Sequence, residues 1–146
     1  MSDEGKQGKP YEMIVEAGKI REFARAAKSK NPAYFAPPDS QPVSPVTFLA
    51  SSAFWSTPES SPSGGVYRNL ERILHGEQEF VFPAGPPRAG DVLTAQSHIG
   101  HVYEKEGKRG GTMHFSELVT EFRDADGNLV AESRSTTIET GKATTE

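Results

Sequence analysis

A chain of 146 residues with a net charge of −4 and no cysteine suits one domain that buries its own core without covalent staples. The missing cysteines exclude disulfides and thiolate metal sites, and the spread, mildly acidic charge argues against nucleic acid or an anionic membrane as a main partner. Apolar stretches are too short to cross a bilayer, and Met1–Lys9 has no apolar signal core, so the sequence reads as cytoplasmic.

Residues 1–9 are polar and are expected to be disordered, ahead of a single domain over 10–140 and a polar tail over 141–146. Tyr11–Glu16 alternates as a short strand does. From Gly18 the period changes: Ile20, Phe23, Ala24 and Ala27 fall at helical spacing, with charged residues between them. This predicts an amphipathic helix of about three turns, closed near Asn31-Pro32 because a residue before proline is pushed out of the helical region. A proline-rich loop, Ala36–Pro45, follows. Val46–Trp55 is a compact apolar run that reads as a mostly buried helix. Thr57–Gly65, rich in Ser, Pro and Gly, reads as a mobile loop, and Tyr67–Leu74 as a short connector.

The second half is strand-like. Gln78, Phe80 and Phe82 share one face, with Glu77, Glu79 and Val81 on the other. Asp91–Glu106 reads as a long strand with Leu93, Ala95, Ile99 and Tyr103 on one face. Hairpins are expected at Gly107–Gly111 and at Asp126-Gly127, joining strands Thr112–Asp124 and Leu129–Glu139. Helices followed by an antiparallel meander make an α+β domain with a segregated helical layer.

Several segments, in order, resemble one family. Leu74-His75-Gly76-Glu77-Gln78-Glu79-Phe80 is followed by Pro87-Arg88-Ala89-Gly90-Asp91-Val92-Leu93. Lys19-Ile20-Arg21-Glu22-Phe23-Ala24, Pro45-Val46-Thr47-Phe48 and the closing Phe122–Val130 stretch fit the same pattern. Together they resemble the N-terminal-type domain of the MaoC-like (R)-specific enoyl-thioester hydratases and dehydratases. The resemblance covers residues 10–140. It implies a hot-dog fold, a long central helix wrapped by a curved antiparallel sheet. It also implies acyl thioester ligands on coenzyme A or acyl carrier protein, a second hot-dog subunit as partner, and no cofactor.

Members that catalyse hydration carry an Asp and a His in a G-D-x-N-P-x-H signature. The matching stretch here is Lys28-Ser29-Lys30-Asn31-Pro32-Ala33-Tyr34. Asn31 and Pro32 are kept, whereas Ser29 stands at the Asp position and Tyr34 at the His position. Serine needs an activator, and tyrosine at its ordinary pKa is a poor general base. Degenerate members of the family pair with a chain that carries Asp and His, as in the heterodimeric mycolic-acid dehydratases and certain steroid side-chain hydratases. The leading expectation is therefore a non-catalytic, acyl-thioester-binding subunit of an (R)-enoyl hydratase/3-hydroxyacyl dehydratase. The alternatives are a homodimeric acyl-thioester enzyme, hydratase or thioesterase, with replaced residues, and a non-enzymatic ligand-binding module.

No catalytic residue is assigned outright. Ser29 and Tyr34 mark the degenerate positions, and His75 is a surrogate candidate weighed against a packed histidine. Asn31, Tyr34, Thr47, Phe48 and Trp55 are the candidate substrate contacts, with Thr47, Phe48 and Trp55 read first as core and second as groove wall. His98 and His101 are not taken as metal ligands, because residues three apart on a strand point to opposite faces. Glu117 and Glu121 read as a solvated face. Ser51-Ser52 lacks a nucleophile elbow and reads as serines bonding back to a carbonyl.

Overall fold

Alternating side chains place five segments in strands: β1 (Tyr11–Ile14), β2 (Ile73–Val81), β3 (Val92–Glu106), β4 (Thr112–Arg123) and β5 (Leu129–Glu139). The structure, a computed structural model, describes residues 3–63, 70–108 and 111–141. Among the described residues the strands form one antiparallel sheet in the order β1-β3-β4-β5-β2. The meander β3-β4-β5 needs only short turns. At Asp124–Asn128 the Asp124 side chain accepts from the Asp126 and Asn128 amides, and Gly127 sits at φ 83°. At the other hairpin the Gly107 amide donates to the Gly111 carbonyl.

One face of the sheet carries the helices. Leu93, Ala95, Phe122 and Ala131 point to this side and are buried with Met13, Val15, Ile20, Phe48 and Leu49. Helix α1 (Ala17–Ala26) buries Ile20 and Ala24, and Phe23 meets Phe48 edge to face at 5.7 Å. A fully enclosed side chain of the size of Ile20 or Phe48 contributes roughly 1.5–3 kcal/mol.

Helix α1 stops earlier than Asn31-Pro32. The Lys28 amide donates to the Arg25 carbonyl and the Ser29 amide to the Ala24 carbonyl, while Lys28 takes φ 55°. This is a Schellman closure with lysine where glycine is usual. The proline follows the stop rather than causing it.

The Val46–Trp55 run is not a long buried helix. It forms a 3-10 helix, Phe48–Phe54, of which only Phe48 and Leu49 are buried. Phe54 is 85% exposed and Val46 57% exposed. The Ser51 hydroxyl donates back to the Phe48 carbonyl at 2.7 Å, the local competition that loosens helical geometry. The hot-dog plan thus holds in its sheet, with a shorter helical layer than expected.

Three further expectations change. First, the segment from Asp3 to Lys9 is bonded to the sheet. The Gly5 amide donates to the Ile99 carbonyl (2.8 Å), the Ile99 amide to the Lys6 carbonyl (2.9 Å) and the Gly8 amide to the Ser97 carbonyl (2.9 Å). This arm prolongs β1 along β3, where unpaired backbone groups would otherwise remain.

Second, Tyr103 lies on the face opposite Leu93, Ala95 and Ile99. Register shifts between Ile99↔Leu118 and Val102↔Ser116, so Gly100 and His101 together oppose Glu117. This bulge advances the alternation by one residue, and Val102 continues the inward face in place of Tyr103.

Third, the Thr57–Gly65 loop is ordered in its first part. Pro58–Ser60 is a 3-10 turn in which the Thr57 amide donates to the Ser60 hydroxyl, and Ser60 is buried. Gly64 and Gly65 lie outside the described residues, as do 66–69 of the connector and 142–146 of the tail. The rest of the connector is a 3-10 turn, Leu70–Arg72, and β2 begins at Ile73.

Candidate functional site

The degenerate signature follows α1 directly. The Ser29 hydroxyl accepts from the Asn31 amide at 3.3 Å, and the Asn31 side chain accepts from the Ala33 amide at 3.1 Å. Asn31 thereby caps the 3-10 turn Pro32–Phe35, whose first residue is proline, the favoured position. The Arg21 guanidinium donates to the Phe35 carbonyl at 2.9 Å and ties the turn back to the helix. Tyr34 is half-buried against the hydrophobic core. Ser29 and Tyr34, the positions the resemblance matches to Asp and His, are thus both engaged in local structure.

The remaining candidates separate. Asn31 and Thr47 are exposed, and Trp55 is half-buried against the core. Phe48 is 0% exposed, so it is a core residue and not a groove wall. His75 is exposed on β2, facing Thr137 of β5 just before a bulge at Gly76, and is not packed.

His98 and His101 are not on opposite faces, because the Gly100–His101 bulge intervenes. The His101 ring stacks on Tyr103 at 5.3 Å, and its Nδ1 lies 2.9 Å from the Glu4 carboxylate. Even so, no cluster of His, Asp and Glu able to hold a metal exists among the described residues. Glu121 is held by Arg123 at 2.7 Å, and Glu117 accepts from the His101 amide at 3.3 Å. Both lie on the face away from the helices, half-buried rather than freely solvated.

The cavity of interest is elsewhere. A cleft of about 440 Å³ lies between the sheet's inner face and the helical layer, a size usual for small-molecule sites. Its sheet side is Tyr11 of β1, Ser97 of β3, and Leu118 and Thr120 of β4. Its other wall is Ser52 and Ala53 of the 3-10 helix, Ser56 just beyond it, and the loop from Thr57 to Pro62. The Ser97 and Thr120 hydroxyls bond to each other at 2.8 Å and are buried. Burial pushes the Tyr11 phenol above its ordinary pKa, and a hydrogen bond with Ser52 partly offsets this.

None of the five residues first taken as substrate contacts lines this cleft. The available signal was the density of hydroxyls from Ser51 to Ser63, which composition alone assigns to a loop.

The FAS1-like dehydratase domain region matches residues 2–133. The chain belongs to this family. A UPF0336 protein of Mycobacterium tuberculosis is 32% identical over 130 residues, which is 85% of this chain and 75% of that protein. Among solved structures, a chain of the C-terminally truncated HadBC complex, a (3R)-hydroxyacyl-ACP dehydratase from M. tuberculosis, is 28% identical. It superposes with a TM-score of 0.71 and covers 94% of this chain and 98% of that one. The ChsH1-ChsH2 complex from the same organism aligns with a TM-score of 0.74 at 16% identity, which speaks for the fold alone. The sheet order and helical layer of the FAS1-like dehydratase chain described here are those of the MaoC-like hot-dog fold. Among the described residues, no helix is long and apolar enough to cross a membrane.

Proposed function

We propose that the chain is the acyl-thioester-binding, non-catalytic subunit of a two-chain (R)-enoyl hydratase/3-hydroxyacyl dehydratase, acting on CoA or acyl-carrier-protein thioesters. The observation that carries this reading is the state of Ser29 and Tyr34. One accepts a backbone amide within a turn and the other packs against the core.

Hydration of a trans-2-enoyl thioester adds the water oxygen to C3 and a proton to C2. A base must take a proton from the water, an acid must deliver one to C2, and a donor must stabilise the enolate-like thioester oxygen. Serine and tyrosine without an activating partner supply neither base nor acid near pH 7. A second hot-dog chain with an intact Asp/His pair would supply both, while this chain contributes the wall that holds the acyl group. The likeness to a chain of the HadBC complex supports a two-chain assembly.

The partner has a place to dock. β2 is an edge strand of nine residues, Ile73–Val81, whose outer backbone groups face no other strand among the described residues. Such an edge is a template for pairing.

The test is a crotonyl-CoA hydration assay on the lone chain, then on the chain co-purified with a hot-dog protein bearing Asp and His. Silence alone and turnover in the complex is the expected result. Clear turnover by the lone chain would instead establish a homodimeric enzyme with replaced residues, and no association with any hot-dog partner would leave a ligand-binding module. The double variant Ser29→Asp, Tyr34→His should remain folded, because Ser29 makes only a turn contact and Tyr34 is half-exposed. Its collapse would show that these positions are structural and cannot host the pair.

A further inference from the structure

Strand β2 is regular only after its bulge at Gly76. Glu77, Glu79 and Val81 stand opposite Thr136, Arg134 and Glu132 of β5, on the face away from the helices. Gln78 and Phe80 take the helix side. Before the bulge the alternation is reversed, and His75, opposite Thr137, is on the helix side. Glu77 and Glu79 are exposed. Glu79 meets the Arg134 guanidinium at 3.2 Å, but that group is also bonded to Glu132. Three carboxylates thus share one base, and the outward face of this border is acidic.

Two copies of the chain joined along β2 would be related by a two-fold axis through one residue of the strand. Residues equally far before and after that point then stand opposite each other, and opposite residues must share a face. An axis at Glu77 sets Glu77 against itself. At Gln78 it sets Glu77 against Glu79 twice, and at Glu79 it sets Glu79 against itself. An axis at Phe80 leaves a single residue on either side, because β2 ends at Val81. An axis at Gly76 or His75 carries the pairing across the bulge and brings the two faces together, so that outward Glu77 would meet helix-side His75 or Ile73. Every register of useful length therefore opposes like charges or opposes unlike faces. Like charges directly opposite destabilise a strand pair.

We propose that the β2 edge rejects a second copy of this chain and accepts a different chain whose edge strand carries lysine or arginine opposite Glu77 and Glu79. The inference rests on the reading above that a second chain pairs at β2, and it names the chemistry that chain brings. Selection is a difference between two affinities, and here one pair of residues works on both: it repels the copy and attracts the basic strand.

Sedimentation velocity of the full chain tests this, with the charge-reversed variant Glu77→Lys, Glu79→Lys as the basic-edged probe. Both positions are exposed, so the exchange should leave the fold intact. An equimolar mixture of wild type and variant should associate roughly tenfold more tightly than either chain alone, with the difference shrinking as salt is raised. A mixture no tighter than its components overturns the proposal. Should the variant fail to fold, Glu77→Gln, Glu79→Gln removes the repulsion alone and should self-associate about fivefold more tightly than wild type. Unchanged self-association then overturns it. The crotonyl-CoA assay reads the underlying function separately. Turnover with an Asp/His-bearing partner beside a failed mixture would strike the charge rule and leave the non-catalytic-subunit reading standing.

Discussion

Gly8 lies against Ser60 so closely that a methyl group on Gly8 would stand 1.9 Å from the Ser60 carbonyl oxygen. The contact joins the N-terminal arm to the loop that walls the cleft, and the neighbouring Lys9 amide donates to the Glu59 carbonyl. Gly8→Ala forces one of two backbones to move, with a cost of about 1–3 kcal/mol. Chemical denaturation should show a lower midpoint, and amide exchange at Gly5 and Ile99 should quicken as the arm loosens. An unchanged midpoint would mean that the arm is dispensable. The Lys9–Glu59 ion pair is exposed on both sides, so Lys9→Ala should change the midpoint little.

Lys28 holds the left-handed position that closes α1. A β-carbon there costs roughly 1–2 kcal/mol, which glycine avoids. Lys28→Gly is expected to stabilise the fold by about 1 kcal/mol, partly reduced by the extra freedom of glycine in the unfolded chain. A thermal melt reads this directly, and a lower Tm would show that the lysine side chain makes a compensating contact.

The Tyr11 phenol sits above its usual range because burial disfavours the phenolate. A raised folded-state pKa means that the folded protein holds the proton more tightly than the unfolded chain does. The associated stability is complete below the unfolded value of about 10 and is lost as pH rises through the folded value. Urea midpoints of the wild type should therefore fall more steeply above pH ~10 than those of Tyr11→Phe. Parallel curves would show that the phenol is not sheltered.

Asp124 lies below its usual range, first through the Asn128 side chain and then through the backbone amides of the same turn. Here the sign reverses: the contribution is present above the unfolded value of about 3.9 and disappears as pH falls through the folded one. Asn128→Ala should flatten the loss of stability between pH 5 and pH 2. The group is exposed, so the change is small, and two-dimensional NMR titration of the Asp124 carboxylate is the sharper measurement.

The strands were legible because alternation is a local signal and both hairpins carry their own turn residues. Gln78, Phe80 and Phe82 fell on the face assigned to them, and Phe80 and Phe82 stack at 6.5 Å. Tyr103 was misplaced because a bulge is a one-residue insertion that leaves no mark in polarity. Only Gly100, whose missing side chain admits the Glu117 carboxylate, hints at it. The Val46–Trp55 run looked like a long helix because composition reports burial, whereas helix type depends on hydrogen bonds such as that from Ser51 to Phe48.

The site was half legible. The sequence pointed to Ser29 and Tyr34 by motif, and the structure adds their local setting, a turn contact for one and packing on the core for the other. The cleft could not be read there, because it is assembled from Tyr11, Ser52, Ser97 and Thr120, residues far apart in the chain and ordinary one by one.

The two borders of the sheet are unequal. On one side the border is shared by the four residues of β1 and the arm that prolongs it, and Pro10, which has no amide proton, interrupts the two. On the other side β2 runs for nine residues without a proline. A molecule with one long border and one blunted border can lengthen its sheet by a single neighbour and then has nothing comparable left to offer. Strand pairing is favoured along the unbroken border, and the interrupted one works against open-ended growth into fibres.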